Sequence, residues 1–259
     1  MTEVSAIPVV LITGAAKRIG REIALTMARQ GWDVAVHYGR SQEEALQVVN
    51  EIIRIGRRAI AVQAELGDEA QVRAIVPQVV AHWGRIDCVV NNASLFEADT
   101  AFDFSGACLD RHMHANVMAP ILLAQALHAA QVKAGNASVI NILDQKLFNL
   151  NPDYLSYTLS KAALQNATVT LAQALAPLVR VVGIAPGLSM MSGDQSESDF
   201  KAAHQLTPLG RSSTPEDIAQ AVVYVAAAKA ITGTTILVDG GQHLIPTQRD
   251  VMFIAKGKE

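Results

Sequence analysis

Tyr157 and Lys161 stand four residues apart in a stretch of helical periodicity, one turn from each other on the same face. A free tyrosine titrates near about 10 and exchanges protons sluggishly at neutral pH. A lysine ammonium beside the phenol favours the phenolate and is expected to bring that pKa towards the working range. Tyr157 is then a candidate proton donor to an atom whose neighbour receives a hydride. Tyr154 has only Thr158 at the same spacing, which supplies no charge. A second set of residues points to a nucleotide. Thr13-Gly14-Ala15-Ala16-Lys17-Arg18-Ile19-Gly20 follows an apolar run and leads straight into a helical pattern. Glycines there permit a tight turn and let the backbone approach a pyrophosphate at a helix N-terminus. The next apolar run ends His37-Tyr38-Gly39-Arg40-Ser41, with no acid to hold a ribose 2′-hydroxyl. Arg40 offers a planar fork, Ser41 a hydroxyl, and Arg18 can reach the same 2′-phosphate. These positions predict NADP(H).

The elements that must position these groups alternate along the chain. Short Val- and Ile-rich runs at 8–13, 33–38, 59–63, 88–91, 138–143, 180–184 and 235–238 are apolar at successive positions, as strands buried on both faces of a parallel sheet are. Helical patterns lie between them at 19–30, 43–55, 69–82, 117–131, 155–176 and 215–227. Pro215 behind Thr214, with Glu216 and Asp217 in the first turn, marks a helix start. The alternation predicts an α/β fold: a doubly wound parallel sheet of about seven strands with helices on both faces, in one domain over 1–259. The 187–195 stretch, GLSMMSGDQ, lacks a pattern and is a candidate flap, with Met190 and Met191 as adaptable contacts.

Composition removes several classes. Half of the 259 residues are hydrophobic and aromatics are 5%, while 21 basic against 24 acidic residues leave a charge of -3. A basic face for nucleic acid is not expected. Neither is a membrane span, since no apolar run approaches about 20 residues. The start MTEVSAIPVVLITG lacks the features of a signal peptide. Cys88 and Cys108 are read as small buried hydrophobes, and His112 and His114 as residues without partners at metal-ligand spacing, so no metal is expected. A cytoplasmic protein is the expectation. The tail after Leu244 mixes charged and apolar residues and is expected to pack across a subunit interface or to fray.

Asn91-Asn92-Ala93-Ser94, Tyr157-x-x-x-Lys161 and Ala185-Pro186-Gly187, taken with the TGAAKRIG turn, form an ordered set that resembles the short-chain dehydrogenase/reductase family from about Pro8 to Leu244. The resemblance implies a Rossmann fold, a nicotinamide cofactor and a homotetramer. Two departures narrow it: Arg18 stands at the turn's middle glycine, and Asp144 stands where the family's catalytic serine falls, 13 residues before the tyrosine. Both departures, with VHYGRS, NNASLF and PGLSM, are similar to the pteridine-reductase subgroup, which includes short-chain dihydropterin and dihydrofolate reductases. The resemblance implies that Phe96 stacks a pterin against the nicotinamide, that Ser94 touches substrate and cofactor phosphate, and that Asn116 holds a water serving Lys161. It also implies cofactor contacts from Gly14, Ile19, Gly20 and Tyr38, from Glu65 and Leu66, and from Asn92 and Ala93. Pro186, Gly187 and Ser189 complete that cofactor set, and Leu188 is placed against the substrate. Leu147 and Phe148 are further candidates for the pocket wall.

Asp144 changes the expected chemistry. An ionised carboxylate cannot donate a hydrogen bond to a ketone oxygen, and its charge opposes phenolate formation at Tyr157. It can accept from the amino and ring N–H groups of a pterin-like heterocycle, and if protonated it titrates with Tyr157 as a pair. The expectation is an NADPH-dependent reductase of a pteridine C=N bond. Alternatives are a carbonyl or 3-oxoacyl reductase that tolerates Asp144, and an NADPH-binding sensor without turnover.

Overall fold

The computed structural model describes residues 7–131, 137–191, 200, 204–205, 207–250 and 253. Seven strands form one parallel sheet: β1 (Val9–Ile12), β2 (Asp33–Tyr38), β3 (Ala59–Gln63), β4 (Cys88–Asn91), β5 (Ala137–Ile142), β6 (Val179–Pro186) and β7 (Thr235–Val238). Their order is β3-β2-β1-β4-β5-β6-β7. The chain therefore winds one way from β1 and the other way from β4, and the switch point lies between those two strands.

The sequence of β1 explains why it sits inside the sheet, next to the central strand β4. Val10 and Ile12 face a cluster with Ile23 and Met27 of helix α1 (Arg18–Arg29) and Ile218 of helix α7 (Pro215–Ala227). Val9 and Leu11 face the opposite cluster, with Val72 and Ile75 of α3 (Glu69–Trp83) and Leu123 of α5 (Ala119–Ala129). Alternate residues of a strand point to opposite faces, so only an unbroken apolar run satisfies both layers. Each such side chain stabilises the fold by about 1.5–3 kcal/mol on burial. Helix α2 (Gln42–Arg54) joins the first layer through Val48 and Ile52. The edge strands β3 and β7 are only half-buried over most of their length, because each has one neighbour.

The expected helix start at Thr214 holds: its Oγ1 and the Asp217 carboxylate cap one another's backbone N–H groups. One helix was not foreseen, α4 (Gly106–Met113), whose N-cap Ser105 accepts from the Cys108 N–H at 3.2 Å. A wider π-helical turn, His114–Met118, joins it to α5, so the regular helix begins two residues later than the expected 117. Helix α6 (Leu155–Leu175) carries Tyr157 and Lys161 under the ends of β5 and β6. No helix of the described residues is long and apolar enough to cross a membrane.

Candidate active site

The β1–α1 turn is built from its own backbone and its neighbours. Gly14 has φ +62, a left-handed conformation that glycine adopts without strain. A Cβ on Gly20 would lie 2.2 Å from the Gly14 carbonyl oxygen, so only glycine lets the helix close on the turn. Asn92 holds that turn from β4: its Nδ2 donates to the carbonyl of Thr13 at 2.9 Å and of Gly14 at 3.3 Å. Thr13 Oγ1 accepts in return from the N–H groups of Asn92 and Ala93. His37 braces the other side, its Nδ1 accepting from Gly14 N–H at 3.2 Å and its Nε2 meeting the Ala64 carbonyl at 3.1 Å. Burial pushes the His37 pKa down to about 4, so the ring is neutral and Nε2 is the donor.

A hollow of about 220 Å³ opens over these ends of the sheet, lined by Gly14, His37, Ala64, Leu66 and Ala93 among others. Ser94 borders it and a second cleft of about 220 Å³, where Ile19, Asn92, Phe96, Asp144, Tyr157 and Lys161 meet. Pro186, Gly187, Leu188, Ser189 and Met190 form the opposite wall of this cleft. Gly187 is pressed there against Ser212 and Gln242, and Gln242 Oε1 accepts the Leu188 N–H at 2.9 Å. Arg18, at φ +54, also lines this cleft, and its Nη1 donates to the Met191 carbonyl at 3.1 Å. That latch holds the start of the expected flap; residues 192–195 of the flap lie outside the described residues. Arg40 stands apart at the end of β2, exposed beside Glu65 at 3.4 Å, with Tyr38 packed on the core and Ser41 at the N-cap position of α2, where its side chain makes no capping hydrogen bond. The two arginines thus border different parts of the groove.

At the cleft floor Tyr157 Oη donates to Asp144 Oδ2 at 2.8 Å. Asp144 Oδ1 accepts the Lys146 backbone N–H at 2.8 Å. Lys161, 3% exposed, donates to the Ile142 carbonyl at 2.7 Å and stands 5.7 Å from the Tyr157 ring centre. The expectation that Lys161 lowers the Tyr157 pKa is corrected here. Burial first, then the Asp144 charge and its hydrogen bond, push the phenol well above its ordinary value. Enclosure likewise raises the Asp144 carboxyl, although Lys146, Tyr157 and Lys161 pull the other way. Desolvation lowers Lys161 to about 8. The opposition of Asp144 to a phenolate is as expected. Tyr157 and Asp144 together are a proton-holding pair.

Phe96 lies over this pair, edge-on to Tyr157 with ring centres 4.7 Å apart, and stacked on Tyr154 at 4.3 Å. Tyr154, discounted in the sequence, is therefore the support of the aromatic platform. Asn116 fixes the same loop from the π-turn, accepting Leu95 N–H at 2.7 Å and donating to the Leu95 carbonyl and Ser160 Oγ at 3.0 Å each. Leu147 does not line the cleft. It packs on Leu143, Leu164 and Ala185, and Phe148 faces outward, because the 3-10 turn Gln145–Phe148 presents Gln145 instead.

The family profile described as Enoyl-(Acyl carrier protein) reductase matches residues 14–243. The chain belongs to the short-chain dehydrogenase/reductase family. It is 33% identical over 239 residues to the 3-oxoacyl-acyl-carrier-protein reductase FabG of Staphylococcus aureus, covering 90% of this chain and 97% of that one. It is 32% identical to pteridine reductase 1 of Leishmania tarentolae over 286 residues, 94% of this chain and 99% of the relative. The solved structure of FolM alternative dihydrofolate reductase 1 from Brucella canis, complexed with NADP, superposes with TM-score 0.86 at 41% identity, covering 92% and 95% of the two chains.

Membership of the short-chain family leaves one cluster aside. Glu97, Cys108 and His112 bring ligand atoms within 4.8 Å of one another, so His112 does have neighbours that its local sequence hid. Both ring nitrogens are already engaged, Nδ1 with the Cys108 carbonyl at 2.8 Å and Nε2 with the Glu97 N–H at 3.3 Å, and Arg111 pairs with the Glu97 carboxylate at 2.5 Å. The cluster is a closed hydrogen-bond network. Thr13, His37, Gln242 and Asp250 also serve the site and were missed, each through a partner far away in sequence, and Gln145 lines the cleft as well.

Proposed function

We propose that this short-chain oxidoreductase is an NADPH-dependent reductase that delivers hydride to a C=N bond of a dihydropteridine, of the dihydropterin, biopterin or dihydrofolate type. The observation that carries the reading is the Tyr157–Asp144 hydrogen bond of 2.8 Å in a cleft roofed by Phe96. Burial raises both the Asp144 carboxyl and the Tyr157 phenol, which favours their protonated forms, and the pair presents acceptor and donor side by side. A heterocycle with ring N–H groups uses both, whereas a ketone oxygen needs only the donor. Tyr157 gives the proton to the ring nitrogen, Asp144 orients the heterocycle and reprotonates the phenol, and Lys161 supplies a positive charge behind them.

The residues present fit a dinucleotide. Gly14 and Gly20 let the first turn close tightly on the start of α1, whose N-terminus suits a pyrophosphate, Arg40 and Ser41 follow the end of β2 as candidates for a 2′-phosphate, and Asn92, Ala93 and Ser94 line the two hollows. NADPH would supply the hydride. The likeness to an NADP-bound FolM structure and to a pteridine reductase supports the same reading. Two free, buried cysteines suit a reducing cytoplasm. A homotetramer is the assembly proposed with this reading, and exposed Leu159 and Val169 on α6 are candidate interface residues for it.

The relation to FabG favours a second reading, a 3-oxoacyl or other carbonyl reductase. One experiment separates the two: NADPH oxidation with dihydrobiopterin, dihydrofolate and a ketone panel in parallel. The expected result is pteridine turnover that Tyr157→Phe lowers by about 100-fold or more. Ketone turnover alone would overturn the pteridine reading, and NADPH binding indifferent to Tyr157→Phe would leave only a sensor.

A further inference from the structure

Helix α6, which carries Tyr157 and Lys161, does not cap its own start. Its N-cap position is Tyr154, at φ +56, whose ring stacks on Phe96 and makes no capping hydrogen bond. The neighbouring carboxylate, Asp153, is taken by Arg249 Nε, at 3.0 Å on both oxygens, and by the Asp250 N–H at 2.7 Å. The first turn is closed instead by Asp99, which lies 57 residues before Ser156 in the loop between β4 and α4. Asp99 Oδ1 accepts the Ser156 N–H at 2.9 Å, and Oδ2 accepts the Ser156 hydroxyl. The Asp99 carbonyl accepts the Leu155 N–H at 3.1 Å. Both partners are enclosed, Asp99 at 5% exposure and Ser156 at 0%.

The loop that supplies this cap is the one that carries Phe96. Asn116 holds it through both polar groups of Leu95, and His112 Nε2 accepts its Glu97 N–H. Building on the dihydropteridine reading, we propose that Asp99 is a positioning residue: by capping α6 from the Phe96 loop, it sets the platform in register with the Tyr157 hydroxyl. Stability alone would be served by a cap from a residue next to the helix. A cap brought from the platform loop makes the loop and the helix start one unit. Ser156, the residue that Asp99 grips, lies between the two tyrosines whose ring centres stand 4.3 Å and 4.7 Å from that of Phe96. One anchor therefore governs both spacings. A flat heterocycle has to meet the ring face and the phenol together, and a misplacement of about 1 Å at such a site costs about 100-fold in rate.

The test is steady-state kinetics with dihydrobiopterin and NADPH, with melting curves alongside. Asp99→Ala is expected to raise the KM for dihydrobiopterin by about 10-fold, with a smaller change in kcat and none in the KM for NADPH. Asp99→Asn keeps an acceptor for the Ser156 N–H and a polar partner for its hydroxyl, and should recover most of that loss. Asp99→Glu keeps the carboxylate but is one methylene longer, so it should raise the same KM while lowering Tm little. It stands in if the alanine variant fails to fold, and an unmoved KM there counts equally against the proposal. In a Phe96→Leu background, Asp99→Ala should add nothing further, since both act through the same ring. A cap that serves stability alone gives a lower Tm for Asp99→Ala with both KM values unmoved, and that result overturns the assignment. So does an additive effect in the Phe96→Leu background. A wild-type protein that neither binds nor reduces dihydrobiopterin overturns the functional reading, and the assignment with it.

Discussion

Asp144 and Tyr157 share one hydrogen bond, so neither can be altered without re-setting the other. Asp144→Ser removes the charge that raises Tyr157 and supplies a neutral hydroxyl. Dihydropteridine kcat/KM should fall by about 100-fold while ketone reduction rises, measured on the two substrates in parallel. His37 gives a stability prediction with a definite sign. Its folded pKa of about 4 lies below the ordinary 6.5, so between those values the unfolded chain binds the proton more readily. Its contribution is whole above about pH 6.5 and is lost as pH falls towards 4, amounting to about 3 kcal/mol. Melting curves over that range should show the wild type losing its advantage over His37→Gln on acidification. Tyr157, Lys161, Asp144 and the glycine turn were legible because their chemistry is local in sequence. His37 was not, since its role depends on Gly14 and Ala64 coming to its two ring nitrogens.

The elements that carry the site differ in how visible they were. The apolar strands announced themselves, because a strand covered on both faces has no polar position to obscure the run. Helix α4 did not: Gly106-Ala107-Cys108-Leu109-Asp110 has weak periodicity, and its start is carried by the Ser105 cap and its packing on α6. The π-turn after it has no sequence signal, yet it aims Asn116 at both polar groups of Leu95. Asn116→Ala leaves those groups unpaired and should cost about 1–3 kcal/mol, seen as a lower Tm. Because Phe96 follows Leu95 directly, the dihydropteridine KM should rise more than the KM for NADPH. The tail was illegible for a further reason: Arg249 and Asp250 look like any surface charges until Asp153 and Lys146 are seen beneath them.

At the scale of the molecule, the homotetramer expectation is testable through α6. Leu159 and Val169 are 45% and 42% exposed on a helix whose other face carries Tyr157 and Lys161. Light scattering on Leu159→Glu combined with Val169→Glu should show a smaller assembly than the wild type, and an unchanged mass would overturn that interface. The sheet order has a consequence for synthesis. β1 is made well before β4, yet one of its two edges is matched only by β4, through Val10 beside Cys88 and Ile12 beside Val90. Parallel pairing at such separation is slow, since a long loop must close before any contact rewards it. A nascent chain therefore carries the VVLI segment with an open edge until residue 91 has left the ribosome. During that interval, the strand that later anchors the nucleotide turn is the part of the protein most exposed to capture by chaperones or by other copies of itself.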